Sequence, residues 1–215
     1  RRAGRLGGAG LVVSFHGFDL ESAVPFYPAL FESSDLFTAN SNYTLGLATA
    51  MGCPTERARK LPMGIDLEVF KPASPTPENG DAPASILFVG RFVDQKGPDL
   101  ALRALAHLRR IVDRPCALTL IGDGPMQEEL GGLARELGIS GEVFFAGPLP
   151  QEQVREAMSK ATVFLLPGRV GSGGRQENQG VVIQEAQAMG LPVVASDTGG
   201  VGEGLDDGRT GFLVP

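Results

Sequence analysis

The sequence predicts an α/β fold: a doubly wound, parallel-sheet domain preceded by the tail of another piece. Three observations predict it. From residue 85 onward, short apolar runs alternate with helix-period stretches, the signature of a parallel sheet with crossover helices. A stretch rich in Pro, Asp, Asn and Gly, "ASPTPENGDAPA" (73–84), separates this regular part from what precedes it and has the composition of a linker. The composition is that of a globular chain with a real core: 215 residues, 42% hydrophobic, 20% charged, mean hydropathy +0.03.

In chain order, "LVVSF" (11–15), "LFTAN" (36–40) and "RKLPMG" (59–64) read as strands or strand ends of a truncated first piece covering 1–72. After the linker at 73–84, the domain at 85–215 offers strands at 85–89, 116–121, 142–146, 162–166, 192–195 and 211–214. Helical patterns fill 98–111, 125–137, 150–160 and 180–189. No internal repeat is visible, and the sole biased tract is the Gly-rich segment 168–174.

Charge and cysteine usage narrow the function classes. A net charge of −6 argues against bulk nucleic-acid binding, which needs a basic face, but leaves room for a small cationic pocket. Cys53 and Cys116 lack CxxC spacing, so neither a zinc site nor a disulfide framework is suggested, which fits a reducing compartment. No apolar run approaches the roughly 20 residues that cross a bilayer, and "RRAGRLGGAG" lacks the apolar stretch of a signal peptide. The chain starts without Met and stops on the strand-like "GFLVP", so it is expected to be a fragment cut at both ends.

Candidate chemistry centres on "RQENQGVVIQEAQAMGLPVVAS" (175–196), which carries two glutamates. Placed on a helix at about 100° per residue, Val182, Ala186 and Met189 define a buried stripe, with Val181 and Ile183 flanking it. Glu185 falls inside that arc, where a carboxylate costs several kcal/mol unless it is paired or accepts hydrogen bonds. Either a structural Arg or Lys meets it, or ligand hydroxyls do. Glu177 lies in the loop before Gly180; eight helical residues span roughly 12 Å, more than the roughly 5–9.5 Å between paired hydrolase carboxylates. The spacing suits gripping two parts of one long ligand rather than joint acid–base work at one bond. Gly180 opens the helix, whose N–H groups and positive dipole end suit phosphate; the plainer role is a tight entry turn.

Cations stand at the end of the domain's first strand, in "SILFVGRFVDQKG". Arg91 follows Gly90 directly, and Lys96 precedes Gly97-Pro98, where the next helix begins. Ligands of open α/β sheets bind outside the carboxyl ends of the strands. There Arg offers bidentate hydrogen bonds to a diphosphate and Lys a point charge. Singly, such residues are ordinary surface charges; with the glutamates on the same edge they form a site. "LTLIGDGPM" and "VFFAGPLP", the latter ending a strand at Gly147, supply further loops on that edge, chiefly as turn chemistry.

Five segments in order, "VGRFVDQKG", "IGDGP", "FFAGPLP", "ENQGVVIQEAQAMGLPVVAS" and the upstream "LPMGIDLEVFKP", together with "SFHGFDL", resemble the retaining glycosyltransferases of family four. The E-x7-E element is here Glu177 to Glu185, and the combination is most similar to the exopolysaccharide branch, of colanic-acid type. The resemblance runs from about residue 11 to the end. It implies the GT-B fold of two Rossmann-like domains, with 1–72 as part of the acceptor-side domain and 85–215 as the nucleotide-sugar donor domain. It implies that Arg91 and Lys96 hold the donor's diphosphate, that Glu185 accepts from ribose hydroxyls, and that Glu177 contacts the transferred sugar. Gly90, Gly147 and Gly180 would line the donor site, and His16-Gly17 would face the donor sugar or its phosphate from the first domain. His16 could equally be an ordinary interface histidine; His107 reads as surface.

The implied reaction moves a sugar from a nucleoside-diphosphate donor to a glycan or lipid-linked acceptor in polysaccharide synthesis. Retention by front-face attack is implied, with no covalent role for Glu177. No cofactor is expected, and metal independence follows from the lack of an Asp-x-Asp motif, Asp206-Asp207 reading as a turn. Implied partners are the donor and the acceptor, with no nucleic acid; the implied location is the cytoplasm, with peripheral contact at the inner membrane surface. The basic Gly-rich loop carrying Arg169 and Arg175 is expected to be mobile, to close over the donor or to meet an anionic acceptor. Competing readings are a non-catalytic nucleotide-sugar-binding module, a GT-B phosphorylase or epimerase, and a Rossmann dehydrogenase. The last lacks its G-x-G-x-x-G after the first strand.

Overall fold

A computed structural model describes residues 10–21, 27–72 and 83–215. The chain divides into two compact units, Arg1–Gly64 and Ile65–Pro215. The division falls earlier than the expected end of the first piece at residue 72, because Phe70 is buried in the core of the second unit. Of the expected linker, 73–82 lies outside the described residues.

The first unit holds a parallel sheet in the order β1 (Val12–Phe15), β2 (Leu36–Ala39), β3 (Ala58–Lys60). The helices α1 (Phe18–Glu21), α2 (Tyr27–Ser33) and α3 (Asn42–Ala50) connect them. Helix α3 starts at Ser41, whose side-chain oxygen accepts the Thr44 N–H, a standard N-cap. The core is aromatic: Phe15 stacks on Phe37 with centroids 6.1 Å apart, and Phe31 meets Phe37 edge-on at 5.4 Å.

The second unit has six parallel strands: β4 (Ala84–Val89), β5 (Cys116–Ile121), β6 (Val143–Gly147), β7 (Val163–Leu166), β8 (Val193–Ser196) and β9 (Gly211–Val214). The helices α4 (Pro98–Ile111), α5 (Gln127–Glu136), α6 (Gln151–Lys160) and α7 (Val181–Ala188) alternate with them. All six expected strands and all four expected helices are present to within two residues at either end. The spatial order is β6-β5-β4-β7-β8-β9, the doubly wound arrangement in which strand order reverses between β4 and β7. Leu87, Phe88, Phe92, Leu102, Leu118, Leu120 and Phe164 are sealed in this core, each worth about 1.5–3 kcal/mol of burial.

Helix α4 shows why sequence and fold agree. Pro98 occupies its first turn, Ala101, Leu102 and Leu105 form its buried stripe, and Arg109 and Arg110 sit in its last turn, where the dipole favours cations. Two glycines let the loops at the carboxyl edge close. A Cβ on Gly97, in left-handed backbone, would lie 1.9 Å from the Pro167 carbonyl oxygen; one on Gly122 would lie 2.0 Å from that of Gly90. The loops after β4, β5 and β7 are thereby pressed together.

Candidate functional site

The point where strand order reverses predicts a ligand crevice beyond the carboxyl ends of β4 and β7. The loop after β4 carries Gly90, Arg91 and a 3-10 turn, Asp94–Lys96; the loop after β7 runs from Pro167 to Gly180 and into α7. Both cations and both glutamates of the sequence reading lie in these two loops or on α7.

Lys96 and Glu177 are ion-paired with each other, their side chains 23% and 13% exposed. The family resemblance assigns Lys96 to a diphosphate and Glu177 to a sugar; the structure brings the two directly together. The Lys96 stem passes over Gly90, its Cδ 3.8 Å from where a Cβ of that glycine would stand. The second Glu177 oxygen, Oε1, accepts from the N–H of Asn178 at 3.2 Å and of Gly180 at 3.3 Å. Gly180 is the N-cap of α7 in left-handed backbone, so the helix begins at Val181, one residue later than its pattern suggests.

The stripe on α7 also needs correction. Ile183, Ala186 and Met189 are buried, while Val182 is partly buried beside the core. A stripe centred on Ile183 and Ala186 puts Glu185 on the flank of the helix, about 160° from Ile183, and not within the apolar arc. Glu185 is half-buried, and burial pushes its carboxyl above the ordinary carboxylate range. Among the described residues no hydrogen bond or ion pair reaches it. Of the two open alternatives, an internal cation and ligand hydroxyls, the first is therefore not found there.

Arg91 is exposed directly after β4, on the edge where Lys96 sits. Gly147 ends β6 at the same edge with open space before it, its carbonyl accepting the Gly122 N–H at 2.9 Å. His16 is exposed at the end of β1 in the first unit. Its N–H donates to Asp19 Oδ1 at 3.1 Å and its carbonyl accepts from Asn40 Nδ2 at 3.4 Å. Gly17 follows with φ 110°.

The basic Gly-rich loop is anchored. The Arg169 guanidinium donates in bidentate fashion to Asp99, at 2.6 and 3.0 Å, and its backbone N–H donates to the Gln95 carbonyl at 3.1 Å. Asp94 Oδ2 accepts from the Ser172 N–H at 2.6 Å and hydroxyl at 2.5 Å, and these bonds hold its carboxyl below the usual range. Further along, Gly200 N–H donates to the Glu177 carbonyl at 2.8 Å, and Gly199 N–H to Gln176 Oε1 at 2.8 Å. Arg169 is thus tied into the fold by Asp99, and neither this pairing nor that of Asp94 with Ser172 has a local signal in the sequence.

One further residue escaped the sequence reading. The Thr198 hydroxyl, just beyond β8, is buried and finds no partner among the described residues, and a Cβ on Gly168 would stand 3.3 Å from it. Its one sequence signal is its place in a strand-to-turn segment, "ASDTGG", on the productive edge. Among the described residues no three His, Cys, Asp or Glu side chains converge as metal ligands, and no helix is long and apolar enough to cross a membrane.

Residues 73–215 match the family described as "Glycosyl transferases group 1". The chain is 35% identical to a GDP-mannose-dependent alpha-(1-6)-phosphatidylinositol monomannoside mannosyltransferase of Mycolicibacterium smegmatis, over 99% of this chain and 58% of the relative. It is 32% identical to the putative colanic acid biosynthesis glycosyltransferase WcaL of Escherichia coli, over 94% of this chain and 50% of the relative. In three dimensions it is similar to Anabaena HepE solved with UDP and glucose, with TM-score 0.78 and 23% identity over 95% of this chain and 57% of that one; this likeness concerns the fold, which is of GT-B type. The chain spans about half the length of the curated relatives it matches.

Proposed function

Because the chain belongs to the group 1 glycosyl transferases, we propose that the whole protein transfers a sugar, with retention, from a nucleoside-diphosphate donor to a glycan or lipid-linked acceptor. The observation that carries this reading is the largely buried Lys96–Glu177 pair at the mouth of α7, where strand order reverses, with Glu185, unpaired among the described residues, farther along the same helix. The GDP-mannose and UDP in the names of the relative and the fold neighbour support a nucleotide donor and leave its base open.

The chemistry follows from charge. Breaking the bond between anomeric carbon and phosphate leaves an oxocarbenium-like sugar and a diphosphate that gains negative charge. Lys96, Arg91 and the N–H groups opening α7 stabilise that leaving group most once the charge has developed. Glu185, desolvated and without a cation among the described residues, is suited to accept from hydroxyls of the nucleoside. An acceptor hydroxyl attacking on the leaving group's face, its proton passing to the departing phosphate, retains configuration without an enzyme nucleophile. The cations fill the place a divalent ion takes in other transferases, so metal independence is part of the proposal.

The test is release of nucleoside diphosphate by the full-length protein from a panel of UDP, GDP, ADP and dTDP sugars with lipid-linked and free glycan acceptors. Release with one donor class, unchanged by EDTA, is the expected result. Binding of a donor with neither transfer nor hydrolysis would favour the non-catalytic module; activity lost to EDTA and restored by Mn²⁺ would remove metal independence.

A further inference from the structure

Of the groups assigned to the donor's phosphate, Lys96 and the Gly180 N–H are already occupied by a side chain. Glu177 Oε2 is on the Lys96 ammonium, and Oε1 is on the backbone N–H of Asn178 and Gly180 at the opening of α7. One ammonium and N–H groups at a helix mouth, converging on one anion, form the arrangement that receives phosphate. Here a carboxylate of the protein itself receives them.

We propose that Glu177 is a resident anion: in the empty site it holds the phosphate's place against Lys96, and the donor's diphosphate must displace it. The inference rests on the donor-site reading above and adds a competitor within it. Lys96 and Glu177 are largely buried, so neither can be left unpaired at small cost. The backbone beneath them is fixed from both sides, by Asp99–Arg169, Asp94–Ser172 and the Gly200 bond to the Glu177 carbonyl. Displacement therefore turns the Glu177 side chain and leaves the loop where it is.

This arrangement distinguishes a whole donor from a spent one. When a sugar is attached, a displaced Glu177 carboxylate can accept from its hydroxyls, which offsets the loss of Lys96. When the sugar has departed, that compensation is gone, and Glu177 competes again for the ammonium. The carboxylate thus weakens the hold on a bare diphosphate and assists its release after transfer, without taking part in bond breaking.

Calorimetry on the full-length protein tests this, with inorganic pyrophosphate, UDP and GDP as probes. Glu177→Gln and Glu177→Ala should each bind these bare ligands at least fivefold tighter than the unsubstituted protein. In a Lys96→Ala background the tightening should vanish. Affinities equal to or weaker than the unsubstituted protein's, with binding still dependent on Lys96, would overturn the inference while leaving the donor site standing. No binding of any of the three ligands by the unsubstituted protein would overturn both. Should the Glu177 variants fail to fold, the unsubstituted protein decides: its Glu177 carboxylate ¹³C resonance should move on saturation with pyrophosphate, and an unmoved resonance overturns the proposal.

Discussion

At the carboxyl edge of the second sheet Lys96 meets Glu177, and at the amino edge Arg109, near the end of α4, meets Glu142, just before β6, at 3.1 Å. Both pairs join two segments distant in sequence. The amino edge also has a depression of about 360 Å³, lined by Arg109, Val112, Asp113, Cys116 and Glu142 among others. The difference lies in what remains unsatisfied. Arg109 divides its guanidinium between Glu142 and the Gly138 carbonyl, a closed arrangement that ties α4 to the turn before β6. At the carboxyl edge, among the described residues, Glu185 is desolvated without a cation and the Thr198 hydroxyl is buried without a partner, and Arg91 is exposed. An ion pair does not mark a site by itself; an ion pair among groups still lacking partners does.

The sharpest way to break this contrast is to remove one cation from each edge. In the full-length protein Lys96→Ala should lower donor turnover at least tenfold, about 1.4 kcal/mol in the barrier. Arg109→Ala should leave turnover within about twofold, since that pair has no ligand to hold. Equal losses at both edges would show that the carboxyl edge has no special role.

Glu185 sharpens the comparison in a second way, because its two substitutions separate binding from stability. Glu185→Ala should also reduce turnover at least tenfold if hydroxyls of the donor are its intended partners. Glu185→Gln should raise thermal stability of the unliganded protein near neutral pH. The folded-state carboxyl lies above its unfolded value, so the fold favours the protonated form. Its contribution to stability is full below the unfolded value and is lost as pH rises through the folded one. The gap in melting temperature between Glu185→Gln and the unsubstituted protein should therefore be widest near pH 7 and close by about pH 4. A variant less stable than the parent at pH 7 would mean that the carboxylate has a favourable partner in the empty protein.

Much of this edge is legible in the sequence, because strand ends and helix starts carry local signals. Gly90-Arg91, Gly97-Pro98 and Gly180 punctuate the pattern, and a parallel sheet collects all such points on one side. What the sequence conceals is pairing across distance. Nothing local says that Lys96 takes Glu177, 81 residues away, or that Asp99 takes Arg169, 70 residues away. These contacts depend on β4 and β7 being neighbours, which is a property of strand order. The misplaced stripe on α7 has a different origin. Val181, Val182 and Ile183 are consecutive apolar residues that fit several helical phases, and only packing chose Ile183 as the buried one. Helices α2 and α3 went unread because each is short, with α3 apolar on most of its circumference and few periodic contrasts to find.

The smallest expected effect belongs to the amino edge itself. The Arg109 and Glu142 side chains are 41% and 33% exposed, so solvent and salt screen much of their attraction. Arg109→Ala should cost about 1 kcal/mol or less, which for a chain of this size moves the melting temperature by no more than about 2–4 °C. The loss should shrink further in 1 M salt, where the screening length falls to about 3 Å. Because Arg109 also donates to the Gly138 carbonyl, Glu142→Gln isolates the ion pair and should cost less than Arg109→Ala. A destabilisation well above 2 kcal/mol, insensitive to salt, would mean that the pair acts as a buried structural element. Its depression would then have to be weighed again as a place where something binds.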